Sequence, residues 1–160
     1  MLKLILPVAM LAAITPQIAA AQATDPTPAI KERYATLPNL TDDTKLYETF
    51  GRREGLVAIM DDFMNRLVAN PRTRPYFENS DKERIKALLV EQVCVVLKGP
   101  CTYSGRSMAE AHMGMNVNEG AFFALVEEFQ KTLNARNIPF AAQNRLIASL
   151  TPMHRDIIDR

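Results

Sequence analysis

From residue 56 onward the apolar positions fall three or four apart. Leu56, Met60, Phe63 and Leu67 share one stripe, with Val57, Ile59, Met64 and Val68 beside it. That spacing predicts a half-buried helix. Asn70-Pro71 ends it, because the residue before a proline avoids helical backbone angles. A second stripe of Ile85, Leu88, Leu89, Val93 and Val96 follows Ser80-Asp-Lys-Glu83, which has the form of a capping box. Gly99-Pro100 is its stop. Ser107-Met-Ala-Glu110 repeats the box and opens a helix of barely two turns before Gly114. Asn118 is placed to cap a helix carrying Phe122, Leu125, Val126, Phe129 and Leu133. The last helix starts at Pro139, carries Leu146, Ile147, Leu150, Ile157 and Ile158, and is expected to bend at Pro152. No stretch alternates with period two, so the fold class is all-α, with four substantial helices and several short ones.

The N-terminus reads differently. Met1–Ala21 has Lys3 as its one charge, an apolar run from Leu4 to Ile14 and a small-residue end. This is the pattern of a secretory signal peptide at 1–21, cut after Ala21 or Ala23. Pro7, Pro16 and Gln17 interrupt it as a spanning helix, which needs about 20 predominantly apolar residues. Residues 22–45 are polar, with Pro26, Pro28 and Pro38, and are expected to be an extension with one helical turn near Ile30–Ala35. The folded domain is placed at 46–160. The expected location is outside the cytoplasm, the periplasm if the source is a Gram-negative bacterium.

Charge narrows the partners. The chain has 19 Lys and Arg against 18 Asp and Glu, and loss of Lys3 would leave it neutral. A balanced charge without a like-charge run gives no footprint for nucleic acid, nor for a membrane surface once the signal is cut. Export also changes the reading of Cys94 and Cys101, since thiols in an oxidising compartment pair. A redox or metal pair competes, but the C-x-x-C spacing is missing and no third Cys exists.

Two histidines remain for chemistry. His154 follows Pro152 beside an apolar stripe and reads as a satisfied or exposed side chain. His112 lies in the very short capped helix, which buries little by itself and so serves to place a side chain. Zinc or non-haem iron would need three or four protein ligands, which the chain does not gather here. Haem needs one, because the porphyrin nitrogens supply the rest, and a helical domain rich in Phe and Met offers an apolar slot. Those Phe and Met side chains are equally explained as core.

Taken together, Leu46-Tyr-Glu-Thr-Phe-Gly51, Asp61-Asp-Phe63, Arg66-Leu-Val-Ala-Asn-Pro71, Tyr76-Phe77, Gly99-Pro100, Tyr103-Ser-Gly105-Arg-Ser-Met108 and Ala111-His112-Met-Gly114 resemble the group I truncated haemoglobins. The resemblance runs from Leu46 to about Ile158 and implies a two-over-two helical sandwich around a haem, and the lack of a C-x-x-C-H motif makes the expected haem non-covalent, b-type. It makes His112 the proximal iron ligand, Phe77 a wedge on the porphyrin face and Phe63 a support from the distal helix. The carbonyl of Met108, one turn before His112, is a candidate partner for the second imidazole nitrogen.

The distal positions depart from the family's pattern. Met64 stands where many members have a tyrosine, and the iron-facing positions of the next helix fall on Ile85 and Leu89, the latter often a glutamine. Gln92, three residues on, either supplies a hydrogen bond to a bound gas or makes a helix–helix contact. Met64 is a candidate sixth ligand or gap-filling core, and Met113 and Met115 flank the proximal side. Arg84, Lys86 and Arg106 are the candidate propionate contacts.

With the N-terminal signal pattern, the resemblance gives the leading expectation: an exported haem protein that binds oxygen, NO and CO reversibly in an apolar distal pocket. Two other readings remain open. One is a nitric oxide dioxygenase served by an external reductase, since the chain has no flavin or nicotinamide motif. The other is a haem-free helical interaction module.

Overall fold

The computed structural model describes residues 45–158, and every regular element among them is helical. The expected signal peptide, its cut site and the extension through residue 44 lie outside the described residues. In chain order the helices are α1 (Lys45–Thr49), α2 (Arg52–Ala69), α3 (Lys82–Val96), α4 (Met108–His112), α5 (Glu119–Ala135), α6 (Phe140–Leu150) and α7 (His154–Ile157). Single 3₁₀ turns at Arg74–Tyr76 and Thr151–Met153 join α2 to α3 and α6 to α7.

The stripe of α2 is the centre of the core. Leu56 and Leu67 are wholly buried, with Ile59, Met60 and Phe63 almost so, while Val57 on the flank is exposed. Helix α2 packs against α3 on one side and α5 on the other. Val90, Val93 and Val96 of α3 and Phe129 and Leu133 of α5 complete the cluster, and Leu146 closes it from α6. Burial of each such side chain contributes about 1.5–3 kcal/mol, which is why the stripe, and not the helix propensity of its residues, holds α2 in place.

Two boundaries differ from the sequence reading. The cap of α3 is Asp81, whose carboxylate accepts the Arg84 N–H at 3.0 Å. Ser80 is used one step earlier, its hydroxyl donating to the Phe77 carbonyl at 2.7 Å. Both residues can cap, and the tight turn after Tyr76 leaves Ser80 facing back toward that turn. The second difference is at Pro152, where one bent helix was expected. Proline has no N–H to continue the ladder, and the chain leaves α6 at Leu150, makes a 3₁₀ turn and restarts as α7. The other two caps are as read. Ser107 and Glu110 bond reciprocally across the first turn of α4, and Asn118 accepts the Ala121 N–H at 2.9 Å.

Cys94 and Cys101 form a disulfide, with Cα atoms 5.9 Å apart. Cys94 is fully buried near the end of α3, and Cys101 lies in the loop that leads to α4. Closing that short loop restricts the unfolded chain by about 2.5 kcal/mol in the chain-entropy account. The Cys94→Ser/Cys101→Ser variant is therefore expected to melt about 10 °C lower by circular dichroism. An unchanged Tm would mean that the loop is already as restricted without the bond.

Candidate functional site

Helix α4 is five residues long and none of them is buried, so hydrophobic packing does not decide where it sits. Its position comes from polar ties and from its neighbours. The Ser107 hydroxyl donates to Glu110 Oε2 at 2.7 Å, and the same oxygen accepts the Ser107 N–H at 3.1 Å. These bonds hold the Glu110 carboxyl below its usual pKa. The approach loop is fixed by Tyr103, buried, whose hydroxyl donates to the Arg106 carbonyl at 3.0 Å. Gly105 lies against that ring, and a Cβ there would stand 2.3 Å from the Tyr103 hydroxyl. After the helix Gly114 takes φ +75°, which lets the chain turn away at once. On the far side α4 packs against α7.

This frame presents one imidazole. His112 Nδ1 lies 2.8 Å from the Met108 carbonyl oxygen. A carbonyl only accepts, so Nδ1 donates, and in the neutral tautomer that this contact selects Nε2 keeps its lone pair. An imidazole oriented in this way is the arrangement of a metal-bound histidine. Among the described residues no three His, Cys, Asp or Glu side chains gather as a metal cluster. The donor set is therefore one imidazole, which suits a metal that brings its remaining ligands with it.

The residues expected on the distal side are apolar. Met64 is buried, yet it is not part of the main core cluster that holds its neighbour Phe63. The Phe63 ring meets that of Phe129 at 4.9 Å between centroids. Phe77 and Leu89 are half-buried at the edge of the cluster, and Ile85, also half-buried, is one turn before Leu89 on α3. None of these side chains has a hydrogen-bond donor.

The sequence profile of the bacterial-like globin family matches residues 45–159. The chain belongs to that family. Among curated relatives it is similar to the group 1 truncated haemoglobin of Tetrahymena pyriformis, at 26% identity over 115 residues, covering 72% of this chain and 95% of that protein. The Tetrahymena thermophila protein of the same name is 32% identical over 88 residues, 55% of this chain and 73% of that one. The solved Fe(III) form of the T. pyriformis truncated haemoglobin superposes with a TM-score of 0.68 at 26% identity, covering 72% of this chain and 98% of that one. The 2/2 haemoglobin of Synechococcus sp. PCC 7002, solved in the cyanomet state with covalently attached haem, shares the fold with a TM-score of 0.67 at 21% identity, with 72% and 98% covered. The protein is thus a group I truncated globin with the two-over-two helical fold, and the family's chemistry is binding of small gaseous ligands at haem.

Other candidates in this globin are dispersed. Lys86 is engaged by Asp61 at 2.7 Å and Glu83 at 2.8 Å, and those hydrogen bonds raise its pKa. Arg84 and Arg106 are exposed. Met113 is 80% exposed and Met115 is exposed as well.

His154 differs from the satisfied or exposed residue expected of it. Its ring stands edge-on to Phe122 at 4.6 Å, and its Nε2 is buried without a hydrogen-bond partner. The sequence marks only a histidine after Pro152. Its placement depends on the break between α6 and α7, which brings α7 onto α4.

Proposed function

We propose that this truncated globin is an exported haem protein that reversibly binds oxygen, NO and CO, with His112 as the proximal iron ligand. The observation that carries the proposal is the Nδ1 contact of His112 with the Met108 carbonyl at 2.8 Å, which leaves Nε2 as the one oriented donor on α4. When bound, the haem supplies the iron on which a diatomic gas is held. Phe77, Phe63, Met64, Ile85 and Leu89 then supply apolar surface that keeps water from the distal side. Without a donor among them, dioxygen, which draws negative charge when held, loses the hydrogen bond that tyrosine-bearing relatives provide. NO and CO depend less on such a bond, so the pocket favours them.

The haem is assigned as b-type and non-covalent. The Synechococcus protein shows that covalent attachment occurs on this fold. This chain has no C-x-x-C-H motif, and its two cysteines are committed to each other. The wild-type protein, reconstituted with haemin, is expected to give a Soret band that shifts on reduction and again under CO. Acid–acetone extraction should then remove the chromophore. A chromophore retained by the protein would overturn the non-covalent assignment, and no Soret band would overturn the function. Export rests on the N-terminal pattern of Met1–Ala21, and mass spectrometry of protein recovered outside the cytoplasm should give a chain starting at Gln22 or Thr24. A chain starting at Met1 would count against it.

A further inference from the structure

Gln92 is a buried amide on α3, 6% exposed, in a helix whose neighbouring inward positions are apolar. A buried amide that found no acceptor would cost about 1–3 kcal/mol. Its Nε2 faces two thioether sulfurs, Met153 Sδ at 3.2 Å and Met108 Sδ at 3.5 Å. The first belongs to the turn before α7. The second belongs to the first residue of α4, whose carbonyl orients His112. One side chain of α3 is therefore in contact with both elements of the proximal side. The disulfide and the Ser104 N–H and hydroxyl bonds to Glu91 Oε2, at 2.8 and 2.7 Å, fix α3 to the loop before α4, but none of them reaches α4. Gln92 meets α4 itself, and α4 has no buried residue of its own to hold it.

We infer that Gln92 is a positioning residue for the proximal ligand: by donating to the sulfurs of Met108 and Met153 it fixes α4 on α3 and so sets the direction of the His112 imidazole. The inference rests on the assignment of His112 to the iron. It makes the α3 amide a determinant of proximal geometry, and it decides between the two roles open to Gln92 from sequence in favour of the helix contact. Thioether sulfur is a weak acceptor, so the tie is worth a single modest hydrogen bond, and losing it changes rates by about threefold to tenfold.

The test compares haem-loaded wild type with Gln92→Leu, Met108→Leu and the double variant. Two quantities are read: the iron–histidine stretching band of the ferrous protein by resonance Raman, and the rate of haem transfer to excess apomyoglobin. Each single variant is expected to shift the band and to speed transfer about threefold to tenfold, and the double variant to do no more than either single one. Met108→Leu removes the acceptor without touching α3, so it carries the test if Gln92→Leu fails to fold. A band that stays in place in both single variants overturns the inference, even where Tm falls, because a merely stabilising contact would lower Tm alone. Additive effects overturn it too. A wild type without a Soret band is a different failure, that of the haem assignment.

Discussion

Replacing His112 by Gly is expected to abolish stable haem binding while leaving the helical fold in place. The imidazole is the one oriented donor that α4 presents, and the helix buries none of its residues, so removing the ring takes nothing from the core. Loss of a partner beyond the ligand typically weakens metal binding by about tenfold to a hundredfold, and loss of the ligand itself should exceed that. The far-ultraviolet circular dichroism of the variant should match the wild type, while haemin titration should give no sharp end point. Free imidazole added to the variant should restore the Soret band, since it can occupy the space the side chain leaves. If His112→Gly kept both the wild-type Soret position and the wild-type rate of haem loss, the iron would be held elsewhere and His112 would be an ordinary surface histidine.

Met64→Tyr is expected to act on the other face. Met64 is buried next to Phe63 on α2 but is outside the cluster that Phe63 joins, so a longer polar side chain is not forced into that cluster. A tyrosine there brings a hydroxyl to a wall that otherwise has no donor. A hydrogen bond to a charged acceptor adds about 1–2 kcal/mol beyond what solvent gives, which corresponds to dioxygen leaving the ferrous protein about fivefold to thirtyfold more slowly. CO dissociation should change much less, because bound CO draws little charge. Stopped-flow displacement of each gas from wild type and variant separates the two. Equal oxygen off-rates would mean that the distal wall is lined by side chains other than Met64.

Much of the frame was legible along the chain because its signals are local. The α2 stripe, the Asn70-Pro71 stop, the Ser107/Glu110 box and the Asn118 cap each depend on residues within a turn or two of one another. Periodicity and capping report such short-range relations well. Where two local signals competed, neighbouring residues offered no means to choose. Ser80 and Asp81 are both competent caps, and the choice of Asp81 follows from the direction in which the preceding turn leaves the chain. Pro152 was visible as a disturbance, but whether it bends a helix or divides it depends on what α7 packs against.

The candidate site divides in the same way. His112 and Met108 lie one helical turn apart, so once the family resemblance marked His112 the Met108 carbonyl could be named as its partner, and the structure places the two 2.8 Å apart. Gln92 and Met153 are separated by 61 residues and meet only because α3 and the turn before α7 close on the same space. His154 comes to lie against Phe122 for a similar reason. By itself, then, the sequence determined the helical class, most helix ends and the globin family pattern, and it singled out His112 as the candidate ligand and Met64, Ile85 and Leu89 as donor-free distal candidates. The tertiary structure alone decided which cap is used, that the last helix is two, that Lys86 is held by Asp61 and Glu83, and that Gln92 joins the two sides of the site. The physical reason is range: capping and periodicity act within a few residues, whereas an amide meets its sulfur acceptors only after the helices that carry them have packed.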